Sequence, residues 1–221
     1  MLYRKIQKRI KNYFINQQNR ILIIDGARQV GKSFIIRYVG QEHFENYIEI
    51  NLLEDSLDKK MFSNIRTIED FYLQVSMFAG NKMKEKNNTL IFLDEIQVYP
   101  ELLTLLKFLN QDNKYTYIAS SSLLGVTLAH TTSIPIGSIE IVQMYPMDFE
   151  EFLYANGFNE FAIKKLKDSF INNETLDEHT HIKMLDLFRK YLLVGGLPQV
   201  VDQYLRDYNI FNVRQIQSEI L

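Results

Sequence analysis

The chain has no cysteine, which excludes disulfides, cysteine nucleophiles and thiolate metal sites and fits a reducing compartment. It has no apolar run near the ~18 residues a membrane-crossing helix needs, and its charged start is unlike a secretory signal. A cytoplasmic location with no membrane partner is the expectation. Charge of one sign is lacking too. Lys and Arg number 25 against 27 Asp and Glu, a formal net charge of −2, so no global field recruits nucleic acid. There are no internal repeats and no low-complexity tracts. With 46% hydrophobic and 24% charged residues, the chain of 221 residues has the balance of a folded domain with a sizeable core.

The basic residues are unevenly placed. The run "YRKIQKRIKNYF" sets Arg4, Lys5, Lys8, Arg9 and Lys11 against Ile6, Ile10, Tyr13 and Phe14, the pattern of an amphipathic helix with a basic face. Such a face is either simply solvated or a contact for nucleic acid or a membrane surface.

Short apolar runs over 21–25, 46–52, 90–94, 115–119 and 139–143 predict strands. Helical patterns near 32–39, 68–80 and 101–110 lie between them. Strands apolar on both faces and separated by helices imply a parallel sheet covered on two sides. After position 143 only helical spacing remains, near 148–155, 159–171, 181–193, 198–206 and 209–221. The "DFEE" of Asp148–Glu151 reads as a helix cap in preference to a catalytic pair. The domain expectation is an α/β core over 1–155 and a helical lid over 156–221. The last helix carries no stop signal, so a further domain is expected to follow in a longer protein.

"GARQVGKS" fits G-x-x-x-x-G-K-[ST], with Gly26, Gly31, Lys32 and Ser33 at the fixed places. Glycines let a loop curl its backbone N–H groups inward on phosphate oxygens, and the following helix adds its positive end. Lys32 is then expected on the β- and γ-phosphates and Ser33 on Mg²⁺. The nucleotide cradle comprises Gly26, Ala27, Arg28, Gln29, Val30, Gly31, Lys32, Ser33 and Phe34. "LIFLDE" supplies a second half: Asp94 at a strand's carboxyl end to hold Mg²⁺ through water, and Glu95 to activate a water. A guanine-reading Asn-Lys-x-Asp element is absent, which points to ATP or ADP. Ser120, Ser121 and Ser122 follow the next strand, where one could sense the γ-phosphate or merely cap a turn. "YLLVGGLPQVV" puts Gly195, Gly196 and Pro198 between two helices, as a helix stop, a fold over the base, or both. "DEHTH" at 177–181 suggests a metal but lies in what reads as a polar connecting loop.

In this order, "GARQVGKS", "LIFLDEIQ", "SSSLLG", "MYPMDFEEFL" and "YLLVGGLPQVV" resemble the AAA+ ATPases, and within them a prokaryotic group with an uncharacterised C-terminal domain. The resemblance implies a P-loop sheet of strand order 5-1-4-3-2 followed by an all-helical lid, with Walker A at 26–33 and Walker B at Asp94 and Glu95. It also implies a sensor at Ser120 and a lid contact at Pro198; Gln97 matches a family position of underivable role. Relatives often carry an Arg finger after the sensor strand, acting on a neighbouring copy in a homo-oligomer. Here 115–163 holds no Arg, which leaves Arg189, Arg206 and Arg214 as substitutes. The expected function is Mg²⁺-dependent ATP hydrolysis that moves the lid against an absent effector domain. The alternatives are a slow nucleotide-gated switch or scaffold, or an ATPase subunit acting on nucleic acid. The expected target is a protein or DNA.

Overall fold

The computed structural model describes residues 1–16, 20–85, 88–122, 124–125 and 137–220. Leu123 of the "SSSLLG" stretch and Leu221, the end of the last expected helix, lie outside them. By contacts the chain divides into two units. One holds Met1–Lys5, Gln29–Gly31 and Tyr145–Leu221; the other holds Ile6–Arg28 and Lys32–Met144.

The second unit is built on a five-stranded parallel sheet. Its strands are β1 (Ile21–Asp25), β2 (Asn46–Asn51), β3 (Thr89–Asp94), β4 (Thr116–Ser121) and β5 (Ile139–Gln143), in the order β2-β3-β4-β1-β5. This is the strand order that the resemblance implies. Helices α1 (Ile6–Asn16), α2 (Lys32–His43), α3 (Leu52–Leu57), α4 (Ile68–Ala79) and α5 (Pro100–Asp112) belong to the same unit. Every residue of β1 and β3 is buried, as apolar strands in the middle of a covered parallel sheet should be. The edge strands β2 and β5 keep exposed or half-buried positions. The core centres on Phe71, Ile91, Leu93, Leu103 and Leu106.

Strands β1 and β5 have the expected bounds and β3 begins one residue early, at Thr89; the larger differences are in β4, where the site lies, and at the end of β2. Strand β4, expected to end at Ala119, runs on through Ser120 and Ser121. The ladder to β1 continues to Ile24↔Ser120 and Asp25↔Ser121, so the backbone stays paired and the hydroxyls are buried. Strand β2 stops at Asn51, whose side chain accepts from the Leu53 and Glu54 amides and caps the unexpected helix α3.

Helix α1 buries Ile10, Tyr13 and Phe14, the apolar stripe expected of it. Its basic side chains are taken up by the chain's own carboxylates: Arg9 pairs with Glu140 and Lys11 with Glu42, while Lys8 is exposed. Arg4 and Lys5, expected on the same basic face, precede the helix and lie in the other unit.

That first unit contains α6 (Phe149–Ala155), α7 (Glu160–Ile171), α8 (Glu178–Val194), α9 (Pro198–Asp207) and α10 (Ile210–Ile220). Asp148 and Glu151 close a reciprocal capping box at the start of α6. Glu151 is also the partner of a buried Arg4, whose Nε lies 3.1 Å from Glu151 Oε2. The Arg4 Nη groups donate to Val30 O and Tyr145 O, each at 2.6 Å. Lys5 pairs with Asp148 and Glu150. The acidic run is therefore a structural cap. Between α8 and α9 the chain turns through Gly195 (φ 76°), and Gly196 O accepts from Met147 N at 2.7 Å. Pro198 takes the first turn of α9, where a missing N–H costs nothing. The "DEHTH" stretch is not a loop: Asp177 caps α8 and the two histidines lie in its first turns. Among the described residues no cluster of three or more His, Asp or Glu has metal-binding geometry, and no helix is long and apolar enough to cross a membrane.

Candidate functional site

The register of the sheet brings the carboxyl ends of β1, β3 and β4 together. Leu93 pairs with Ala119, Ile24 with Ser120, and Asp25 with Ser121. The loop after β1 is where "GARQVGKS" stands. Its backbone departs from ordinary conformations at Gln29 (φ 65°) and Gly31 (φ 93°) before Lys32 opens α2. Lys32 folds back so that Nζ donates to Gly26 O (2.8 Å), Ala27 O (2.9 Å) and Ser122 Oγ (3.1 Å). Burial pulls its ammonium pKa down, against the support of Glu95, Asp94 and Asp25 nearby. A buried cation satisfied only by neutral oxygens is an incomplete arrangement, one that an anion would complete.

Gly26 is required by close approach. A Cβ there would stand 2.1 Å from the Met144 carbonyl oxygen. The neighbouring backbone is fixed by Gly26 N to Ser121 O (3.2 Å) and Met144 N to Asp25 O (2.7 Å).

Asp94 ends β3, 6% exposed. Its Oδ1 accepts from Ser33 Oγ at 2.9 Å and also from Ser120 Oγ. Burial pushes its carboxyl pKa up, and the two hydroxyl bonds pull the other way. Glu95 comes next in a left-handed conformation (φ 58°, ψ 48°), which costs a non-glycine residue about 1 kcal/mol or more and is concentrated at functional sites. Its amide donates to Ser120 Oγ (3.1 Å), and its Oε1 accepts from Ser122 Oγ (2.9 Å). Ser122 Oγ thus sits between Lys32 Nζ and Glu95 Oε1, accepting from one and donating to the other.

A profile of the family described as AAA domain matches residues 18–153, well over half of the chain. The chain belongs to the AAA domain family. Membership implies nucleotide binding. This AAA domain is 25% identical over 183 residues to the uncharacterized protein MJ1544 of Methanocaldococcus jannaschii, over 82% of this chain and 36% of that protein. The chain therefore spans little more than a third of that relative's length. Among solved structures it is similar to the Walker-type ATPase PABY2304 of Pyrococcus abyssi, with 16% identity and a TM-score of 0.56, covering all of this chain and 72% of that one. It is also similar to PCH-2 of C. elegans, with 11% identity and a TM-score of 0.53, over all of this chain and 70% of that one. At such identities the likeness speaks for the fold.

The AAA domain's residues also fit the metal that usually accompanies a nucleotide. The Ser33 hydroxyl and the Asp94 carboxylate are two hard oxygen donors within 2.9 Å of each other. Mg²⁺ is commonly held by one or two such protein groups, with waters and phosphates filling its other positions.

The expected site residues do not all meet. Lys32, Ser33, Asp94, Glu95 and Ser120 converge at the strand ends through these hydrogen bonds. Ala27, Arg28 and Gln29 are exposed along the loop, Phe34 is 57% exposed, and Val30 is fully buried in the other unit. Ser120 lies beneath Asp94 and Glu95, while Ser122 lies beside Lys32. No single serine of the run could be chosen from composition; only the length of β4 decides which hydroxyl faces which partner. Gln97, which had no assigned role, donates from Nε2 to Glu95 Oε2.

Proposed function

We propose that this AAA domain binds ATP with Mg²⁺ in the 26–34 loop and hydrolyses it, with movement of the helical part as the output. The observation that carries the reading is the chain of contacts Lys32–Ser122–Glu95 at the mouth of the loop. It joins the group suited to a terminal phosphate to the group suited to a water.

Each residue has a defined task on this reading. Lys32 leaves three neutral acceptors for phosphate oxygens, and a charge-assisted bond is roughly twice as strong as a neutral one. Ser33 and Asp94 would hold the metal, which when bound would neutralise charge on the phosphate oxygens. Glu95 takes a proton from the attacking water as its oxygen bonds to the γ-phosphorus, and the bond to the ADP oxygen breaks. Ser122, released by Lys32, reports that the γ-phosphate is present; Ser120 fixes Asp94 and the Glu95 amide. Pro198 is proposed, from the resemblance, as a contact of the nucleotide.

Phosphate release from ATP by wild type and Asp94→Asn tests this. Wild type should need Mg²⁺, and the variant should lose about 10²-fold in rate, the scale for removing one electrostatic partner of the transition state. The variant should also melt higher without nucleotide. Burial raises the Asp94 pKa in the folded state, so the native protein binds more protons than the unfolded one in the acid window between the two pKa values. Its contribution therefore improves as pH falls, and the charge opposes folding at neutral pH. An unchanged rate, or a lower melting temperature, contradicts the assignment.

A slow nucleotide-gated switch is the second reading, favoured by the absence of Arg from 115–163. ADP retained through purification, with no measurable turnover, would select it.

A further inference from the structure

We propose that Gln97 is a positioning residue for Glu95, holding its carboxylate in the orientation that receives the water's proton. The inference rests on the ATPase reading of Glu95 and adds a residue to it.

Gln97 lies in the short 3-10 turn Ile96–Val98, directly after the left-handed Glu95. Its Nε2 donates to Glu95 Oε2 at 2.5 Å, and its Oε1 accepts from the Ser122 amide at 3.3 Å. Ser122 Oγ donates to Glu95 Oε1 at 2.9 Å, which closes a ring of three residues. The amide has one workable orientation. Flipped, it would set an oxygen against the carboxylate and an NH₂ against a backbone N–H.

The ring gives each Glu95 oxygen one protein donor. A carboxylate has about four acceptor sites, so two stay open for water while its plane is fixed. A side-chain amide can donate to a carboxylate and accept from an N–H on one planar group, whereas lysine and arginine only donate and glutamate when ionised only accepts. Asparagine is a methylene too short to span the same pair. Gln97 is itself only half buried, so its bonds compete with water and contribute little to folding. What they fix is direction. General-base catalysis is sensitive to that, since a misplacement of about 1 Å can cost on the order of 10²-fold.

The test is steady-state and single-turnover ATP hydrolysis by wild type, Gln97→Met, Gln97→Asn and Glu95→Gln, and by each Gln97 change combined with Glu95→Gln. Methionine keeps the length and packing without the hydrogen bonds; asparagine keeps the polarity without the reach. Both should lower kcat by about 10- to 100-fold, with KM, ATP affinity and melting temperature close to wild type. In the Glu95→Gln background neither should lower the residual rate further, because the group being positioned is gone. If both Gln97 variants turn over like wild type while Glu95→Gln is inactive, the inference fails and the ATPase reading stands. An equal loss in both backgrounds also overturns it, since Gln97 would then act elsewhere. If Glu95→Gln matches wild type, the role of Glu95 falls and the inference with it.

Discussion

Glu95→Gln should bind MgATP with an affinity within about threefold of wild type and release phosphate about 10²–10⁴-fold more slowly, the span that general-base catalysis contributes. The substitution keeps the size of the side chain and leaves Lys32, Ser33 and Asp94 untouched. It removes the ability to accept a proton. It also places an NH₂ group where Ser122 Oγ and Gln97 Nε2 now both donate to a carboxylate, so the Gln97 bond must be lost or the Ser122 bond reversed. Loss of orientation and loss of basicity act in the same direction on the rate, and neither touches the phosphate-binding groups. A filter-binding titration beside a phosphate-release assay separates the two quantities. Parallel loss of binding and turnover would mean that Glu95 belongs to nucleotide binding and has no part in proton transfer.

Gly26→Ala should be the most damaging small change in the loop. The added methyl would meet a backbone oxygen at 2.1 Å, far inside contact distance, and neither strand can yield without cost. To relieve the clash the chain must part Gly26 N from Ser121 O, or Met144 N from Asp25 O. We expect a loss of about 3 kcal/mol, at the upper end for overpacking. That corresponds to a fall in Tm of about 10 °C for a chain of this size. ATP binding should fall with it. Gly137→Ala is the control, because a Cβ there meets nothing within 4 Å. It should change stability by no more than about 0.5 kcal/mol. Calorimetric melting of both variants is the measurement, and equal Tm values would show that the Gly26 contact is not rigid.

Local chemistry was legible in the sequence, and long-range pairing was not. The apolar run at 21–25 coincides with β1, because a central strand of a covered parallel sheet announces itself by continuous hydrophobicity; the half-apolar 139–143 coincides with the edge strand β5. The order of those strands came only from the resemblance. The Asp148 cap and the stop between α8 and α9 were readable for the same local reason. Arg4 read as one more charge on an exposed helix face. Its burial depends on Val30, Tyr145 and Glu151, up to 147 positions away. The serine run left a phosphate sensor and a turn cap equally open, because hydroxyl-rich stretches serve as either; pairing with β1 and a buried carboxylate extend the strand through Ser120 and Ser121. Gln97 offered no local signal of its role. That role emerges only when Glu95 adopts its left-handed conformation and β4 carries Ser122 alongside.

The central claim is that the 26–34 loop holds the phosphates of ATP through Lys32. Calorimetric titration of MgATP into wild type and Lys32→Ala tests it most directly. Charge-assisted bonds contribute about 1.5–3 kcal/mol each, so losing the ammonium should weaken binding by at least about 10- to 100-fold. Equal affinity in the two proteins would contradict the account.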